Sequence, residues 1–230
     1  MVIWVFAGGG QTEIAGLSIF LEANYPFHRF ERKTPARVKP GPKPNRLPTH
    51  RSLGRTGISF SGQIEEIFQV SIRASSCDAI LVLDDLDCHS PTLRRSAFDG
   101  VLNSIPVQPD IKRIIGFASP EVEAWLIADW EHTFMTDYDL RSFHRTIQYQ
   151  LSQHGVDFKN PEQFSHFDAS KNSCDSKLSD VIIHQVFECS GIHYSKSDHS
   201  PRMLKNALAP VIAQKCPEFR IIHTELIKNN

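Results

Sequence analysis

No stretch of the 230 residues approaches the apolar length that a membrane span requires, so no spanning segment is expected. A basic leader is also missing. The apolar start Met1-Val2-Ile3-Trp4-Val5-Phe6 is short and runs into glycines, and it reads as a first strand rather than a signal peptide. The five cysteines, Cys77, Cys88, Cys174, Cys189 and Cys216, form no Cys-x-x-Cys pair. The eleven histidines form no His-Glu-x-x-His cluster. These absences speak against a structural zinc site and for reduced, mostly buried thiols in a cytoplasm. No internal repeat is visible. With 40% hydrophobic and 22% charged residues, the chain has the composition of a soluble globular protein able to bury a real core.

A net charge of −1 conceals an asymmetry. Between Arg29 and Arg55 lie nine Lys or Arg residues and one acid, Glu31, so the rest of the chain is acidic. The same stretch holds Pro35, Pro40, Pro42, Pro44 and Pro48, which exclude a regular helix or a central strand. It reads as a long, extended basic loop. Loops of this kind bind polyanions by neutralising phosphates, and Arg37, Lys39, Lys43, Arg46 and Arg51 are its candidate nucleic-acid contacts. A solvated insertion is the plainer alternative.

Around this segment the pattern alternates. Strands are expected at Val2–Ala7, Ala79–Leu83 and Lys112–Ala118. Helices are expected at Gln11–Asn24, Gly62–Ser75, Thr92–Asn103 and from Pro120 through Asp129. This order predicts an α/β fold with a mostly parallel sheet flanked by helices. From about Thr136 the chain reads helical, at Leu140–Gln153, Leu178–Cys189, Pro201–Gln214 and Pro217–Ile227. Lys159–Ser176 reads as a polar excursion. Residues 1–135 are expected to form the α/β core, with a basic insertion at 29–57, and residues 136–230 a helical part packed on it.

Three motifs sit where chemistry is expected. The glycine turn Gly8-Gly9-Gly10-Gln11-Thr12-Glu13 follows the first strand, and Glu13 falls in the next helical turn. It lacks both the lysine of a phosphate-binding loop and the third glycine of a dinucleotide fingerprint. The strand Ala79–Leu83 runs into Asp84-Asp85-Leu86-Asp87, which concentrates negative charge at a sheet edge. Such an arrangement is costly unless a cation or proton is shared, and carboxylates are the ligands that Mg²⁺ prefers. In a strict strand Asp85 and Asp87 face one side and Asp84 the other. Capping of the next helix explains one aspartate but not three. The third motif is Ser119-Pro120-Glu121-Val122-Glu123-Ala124-Trp125-Leu126-Ile127-Ala128-Asp129. There the acids complement the dipole of a helix that begins at a strand end, and Glu123 is also a candidate site acid.

Together these residues carry a resemblance. A first strand, a turn reading Gly-Gln-Thr-Glu and a later strand ending in Asp-x-Asp are similar to the TOPRIM fold of primases, type II topoisomerases and OLD-family nucleases. The Glu123 helix, the segment Tyr194-Ser195-Lys196-Ser197-Asp198-His199 and the run Cys216-Pro217-Glu218-Phe219 resemble a bacterial TOPRIM-like group called domain of unknown function 4276. The resemblance spans Val2 to about Leu226. It implies a Mg²⁺-dependent nuclease, with Mn²⁺ able to substitute, of the kind associated with phage-defence or mobile-element loci.

In that reading Asp85 and Asp87 hold the ion, and Glu13 is ligand or general base. Glu123 is a supporting acid, and Lys196 stabilises charge on the phosphate. The implied partners are nucleic acid, an AAA/ABC-type ATPase encoded nearby and a second copy of the chain. The family turn usually opens with a glutamate that here is Gly9. That departure favours the other expectation, a non-catalytic module that binds nucleic acid or regulates an ATPase. A strand followed by Asp-x-Asp also marks haloacid-dehalogenase-type phosphatases. The distance from the N-terminus and the following Cys88-His89 speak against that reading.

Overall fold

The computed structural model describes residues 1–8, 12–34, 57–72, 75–104 and 111–228; the side chains at 13, 14, 57–59 and 69 lie outside that description. A four-stranded, all-parallel sheet forms the centre. It runs β2 (Arg29–Thr34), β1 (Val2–Ala7), β3 (Ala79–Asp85), β4 (Lys112–Ala118). The central strands β1 and β3 are apolar on both faces, as strands covered by helices on both sides must be. The outer strands carry the charges, Arg29, Glu31, Arg32 and Lys33 on β2 and Lys112 and Arg113 on β4.

Three helical crossovers connect the strands. From β1 the chain passes through a π-helical segment (Glu13–Leu17) and α1 (Ser18–Asn24) to β2. It then returns through α2 (Gly57–Ser71) to β3, and α3 (Pro91–Ser104) leads on to β4. The first crossover covers one face of the sheet and the other two cover the opposite face. This arrangement follows from right-handed crossovers that step outward in opposite directions from the centre. The direction reverses between β1 and β3. In open α/β sheets the crevice outside the C-terminal strand ends at such a reversal is where ligands bind.

The remaining chain packs on the α1 face. It contains α4 (Glu123–Ala128), α5 (His144–Gln153), a 3₁₀ turn (Pro161–Gln163) and a short ribbon of β5 (Phe167–Asp168) and β6 (Ser173–Cys174). It ends with α6 (Leu178–Ser190), α7 (His199–Leu204), α8 (Ala209–Lys215) and α9 (Pro217–Ile227). Every residue of α4 is buried, so it is a core element rather than an amphipathic surface helix. One apolar cluster on this face runs from Ile3 to Leu226. Two glycines permit its close packing. A side-chain carbon at Gly16 would fall 2.8 Å from the Pro201 backbone, and one at Gly116 would overlap Ile222 of α9.

Several boundaries differ from expectation. Arg29–Thr34 is an edge strand, not the start of the basic loop, because the prolines begin only at Pro35 and Phe30 and Thr34 are buried. Pro201–Gln214 is two helices. The chain breaks after Leu204, and Pro210 sits in the first turn of α8, where a missing N–H costs nothing. The helix expected from Pro120 starts at Glu123. The excursion at Lys159–Ser176 contains the 3₁₀ turn, whose Glu162 carboxylate accepts the amides of Glu218 and Phe219 and so caps α9 from a distance. Arg37, Lys39, Lys43, Arg46 and Arg51 lie outside the described residues.

Candidate active site

The C-terminal ends of β1, β3 and β4 surround a pocket of about 20 Å³, lined by Gly8, Thr12, Asp84, Asp85, Ala118 and Trp125 among others. That is room for one water-sized species.

The last two residues of β3 point to opposite faces, as strand alternation requires. Asp84 is buried toward α3, where Arg94 lies 3.9 Å away. Asp85 is half-buried on the pocket wall, and its charge acts on Lys196. The strand then ends, so Asp87 lies beyond it, in a turn where Asp87 (φ 47°) and Cys88 (φ 61°) are left-handed. Two amides extend the β3–β4 pairing past the strand ends. Leu86 N–H donates to Ala118 O at 2.9 Å, and Asp87 N–H donates to Pro120 O at 3.0 Å, across from the cis Ser119–Pro120 bond. Burial raises the Asp87 carboxyl above its ordinary range, with Lys177 opposing and Glu121 adding to the rise.

Past β4 the chain supplies two glutamates. Glu121 is buried and accepts the Ser179 amide (3.2 Å) and hydroxyl (2.7 Å), so it caps α6 rather than its own helix. The Lys196 ammonium lies 2.8 Å from the same carboxylate. Burial disfavours the Glu121 charge, but Lys196 and Ser179 outweigh it and hold the group below the usual carboxylate range. Glu123 is fully buried. It accepts the Ser200 hydroxyl at 3.0 Å and faces Lys196 at 3.2 Å. Burial pushes its carboxyl up to about 6 despite the lysine.

Lys196 therefore bridges two carboxylates. Burial works against its charge, but Glu123 and Glu121 hold it above the ordinary lysine range. Its side chain as a whole remains 39% exposed. Its backbone carbonyl accepts the Thr12 hydroxyl at 2.9 Å, which fixes the Lys196 loop to the turn after β1. Behind it, Tyr194 and Ser200 share a hydrogen bond at 2.8 Å.

The structure thus gathers Asp85, Glu123 and Lys196, three of the residues singled out by sequence. Asp87 stands to one side, next to Glu121. Glu13 occupies the first turn after β1, and its side chain lies outside the description. Glu121, Thr12, Ser179 and Ser200 complete the arrangement. Of these, Thr12 lay in the glycine-turn motif and Glu121 in the motif after β4, where its signal pointed to the wrong helix; Ser179 and Ser200 carried none. No group of three or more His, Cys, Asp and Glu side chains among the described residues could hold a metal ion. Mg²⁺ commonly binds through one or two protein carboxylates, with waters and substrate phosphate completing its shell. The half-buried Asp85 fits that smaller role.

The thiol expectation is corrected in one place. Cys88, directly after Asp87, is disulfide-bonded to Cys174 of β6, while Cys77, Cys189 and Cys216 are free. The two positions are 86 residues apart, and sequence spacing carries no sign that the fold brings them together.

No family model, curated protein or solved structure matches the chain.

Proposed function

We propose that the chain is a Mg²⁺-dependent hydrolase of phosphodiester bonds in DNA or RNA. The observation that carries this reading is the Lys196 ammonium. It is clamped between Glu121 and Glu123 beside Asp85, outside the strand ends where the direction of crossover reverses. Asp85, with Glu13 from the turn after β1, would hold the ion, and Mn²⁺ could replace it. The ion supplies positive charge to the scissile phosphate. Lys196 presents a fixed cation to the same anionic group, where charge develops in the transition state. Glu121 and Glu123 keep that ammonium protonated and in place. Glu121 is itself anchored to α6, and Glu123 to Ser200.

In labelled DNA and RNA cleavage assays with Mg²⁺, the wild type is expected to cut, and Asp85→Ala is expected to lose cleavage and calorimetric Mg²⁺ binding while keeping its circular dichroism spectrum. Undiminished cleavage by Asp85→Ala overturns the reading. A second reading is a non-catalytic module that binds nucleic acid or a partner ATPase. It is favoured by the salt bridges that already neutralise Glu121 and Glu123 with Lys196 in place of an ion. No Mg²⁺ binding by the wild type, with nucleic acid present, would select it.

A further inference from the structure

The ribbon β5–β6 is only two residue pairs long, Phe167 with Cys174 and Asp168 with Ser173. A ribbon of that size does not hold its place alone. Both members of its first pair reach the turn after β3. Cys174 is bonded to Cys88, and the Phe167 ring lies 4.7 Å from that of His89. The ribbon and the Asp87 turn are therefore clamped at two adjacent points, and only one of them is covalent. Of the two cysteines, Cys88 is half-buried and is the one a small thiol could approach, while Cys174 is only 2% exposed and sits in the wall of an open cleft of about 630 Å³ with His154, Lys171, Lys177 and His184. That volume is in the range of small-molecule sites.

We propose that Cys88–Cys174 is a reversible redox site, opened by a small thiol, whose opening releases the ribbon from the turn that carries Asp87. The thiolate of the small thiol attacks Cys88 Sγ. The S–S bond breaks, and its electron pair leaves with Cys174 as a thiolate, which takes a proton from water. A second small thiol attacks the mixed disulfide. It frees the Cys88 thiol and leaves a small-molecule disulfide as the oxidised product. The reverse exchange, with a small-molecule disulfide as oxidant, closes the bond. Lys177 is three residues from Cys174, and its charge acts on Asp87, so releasing this segment alters the surroundings of that carboxylate.

The test uses the full chain without added metal, so it reads independently of any cleavage. The protein is equilibrated with mixtures of reduced and oxidised glutathione, quenched with acid, alkylated after denaturation and weighed. Three alkylated cysteines are expected at the oxidising end and five at the reducing end, with Cys88 and Cys174 changing together. Hydrogen exchange at residues 86–89 and 166–175 accelerates about tenfold on reduction, with β1 unchanged. Cys88→Ser shows the fast exchange at both ends. Three results overturn the proposal: five free thiols under every mixture, a bond that excess reduced glutathione leaves closed in the folded protein, or opening without faster exchange at those residues.

Discussion

On the α2–α3 face of the sheet, Trp4, Phe6, Phe60, Phe68, Phe98 and Phe117 make an aromatic packing layer around Ile64, Ile80 and Val82. On the other face an apolar cluster shares its space with buried polar groups, among them Glu121, Glu123, Asp129, Asp137, Ser179 and Ser200. Buried charge costs several kcal/mol per ion unless it is paired and hydrogen-bonded, and a hydrophobic replacement is often at least as stable. The aromatic face, among the described residues, is mainly apolar packing. The other face carries a group of charges that stability does not require, of which Glu121 and Glu123 lie just past the end of β4. On the aromatic side the fully buried Asp84 faces Arg94, and it too lies at the strand end.

The largest expected effect comes from cutting each face in turn. Phe98→Ala and Trp125→Ala should each lower unfolding free energy by about 3–5 kcal/mol in urea titrations. They should differ at the site. Trp125 lines the pocket and packs on Phe20 and Phe219, so its loss should speed hydrogen exchange around Lys196, whereas Phe98→Ala should not. Equal acceleration by both variants would dissolve the distinction between the faces.

A smaller loss should follow Lys196→Met, which leaves two buried carboxylates without their cation. Because the Lys196 side chain is partly exposed, about 2 kcal/mol at neutral pH is expected rather than the full cost of breaking a buried pair. The loss should shrink below pH 6, where Glu123 is protonated in the folded state. A loss that stays the same at low pH would mean that charge is not its cause.

A pH slope is the third test. Burial pushes the Glu162 carboxyl from its ordinary 4.5 up to about 7. An acid whose folded pKa is raised contributes stability that is complete below 4.5 and lost as pH rises through 7, because the folded state holds the proton more tightly than the unfolded one. Glu162→Gln should therefore flatten the fall of Tm between pH 4.5 and 7. An unchanged profile would show that other groups set it.

The strands β1 and β3 were legible because central strands of a parallel sheet are apolar runs bounded by turn residues, and the edge strand β4 was legible because it carries a similar run from Ile114 to Ala118. The four-residue break between α7 and α8 and the strand β2 were not. The first has a single proline as its cue, and the second hides its two buried residues among charges. At the site, Asp85 and Glu123 could be picked out by local pattern, and Lys196 through the resemblance of its segment. What joins them could not. Lys196 and Glu121 are 75 residues apart, and Ser200 and Glu123 are 77 apart. Pairing over such distances is decided by how α6 and α7 pack on the sheet, and no local periodicity encodes it.

The two amides that continue the β3–β4 ladder past Asp85 and Ala118 have a consequence for how this molecule can be altered. Surface loops usually accept inserted residues at little cost. These two cannot be lengthened separately, because Leu86 and Asp87 are held in step with Ala118 and Pro120. One residue added to either loop would move its acid out of line with the other. Length changes in this part of the chain are therefore expected to be tolerated only as matched pairs, and insertion scanning should find a gap in tolerance spanning residues 85–87 and 118–121.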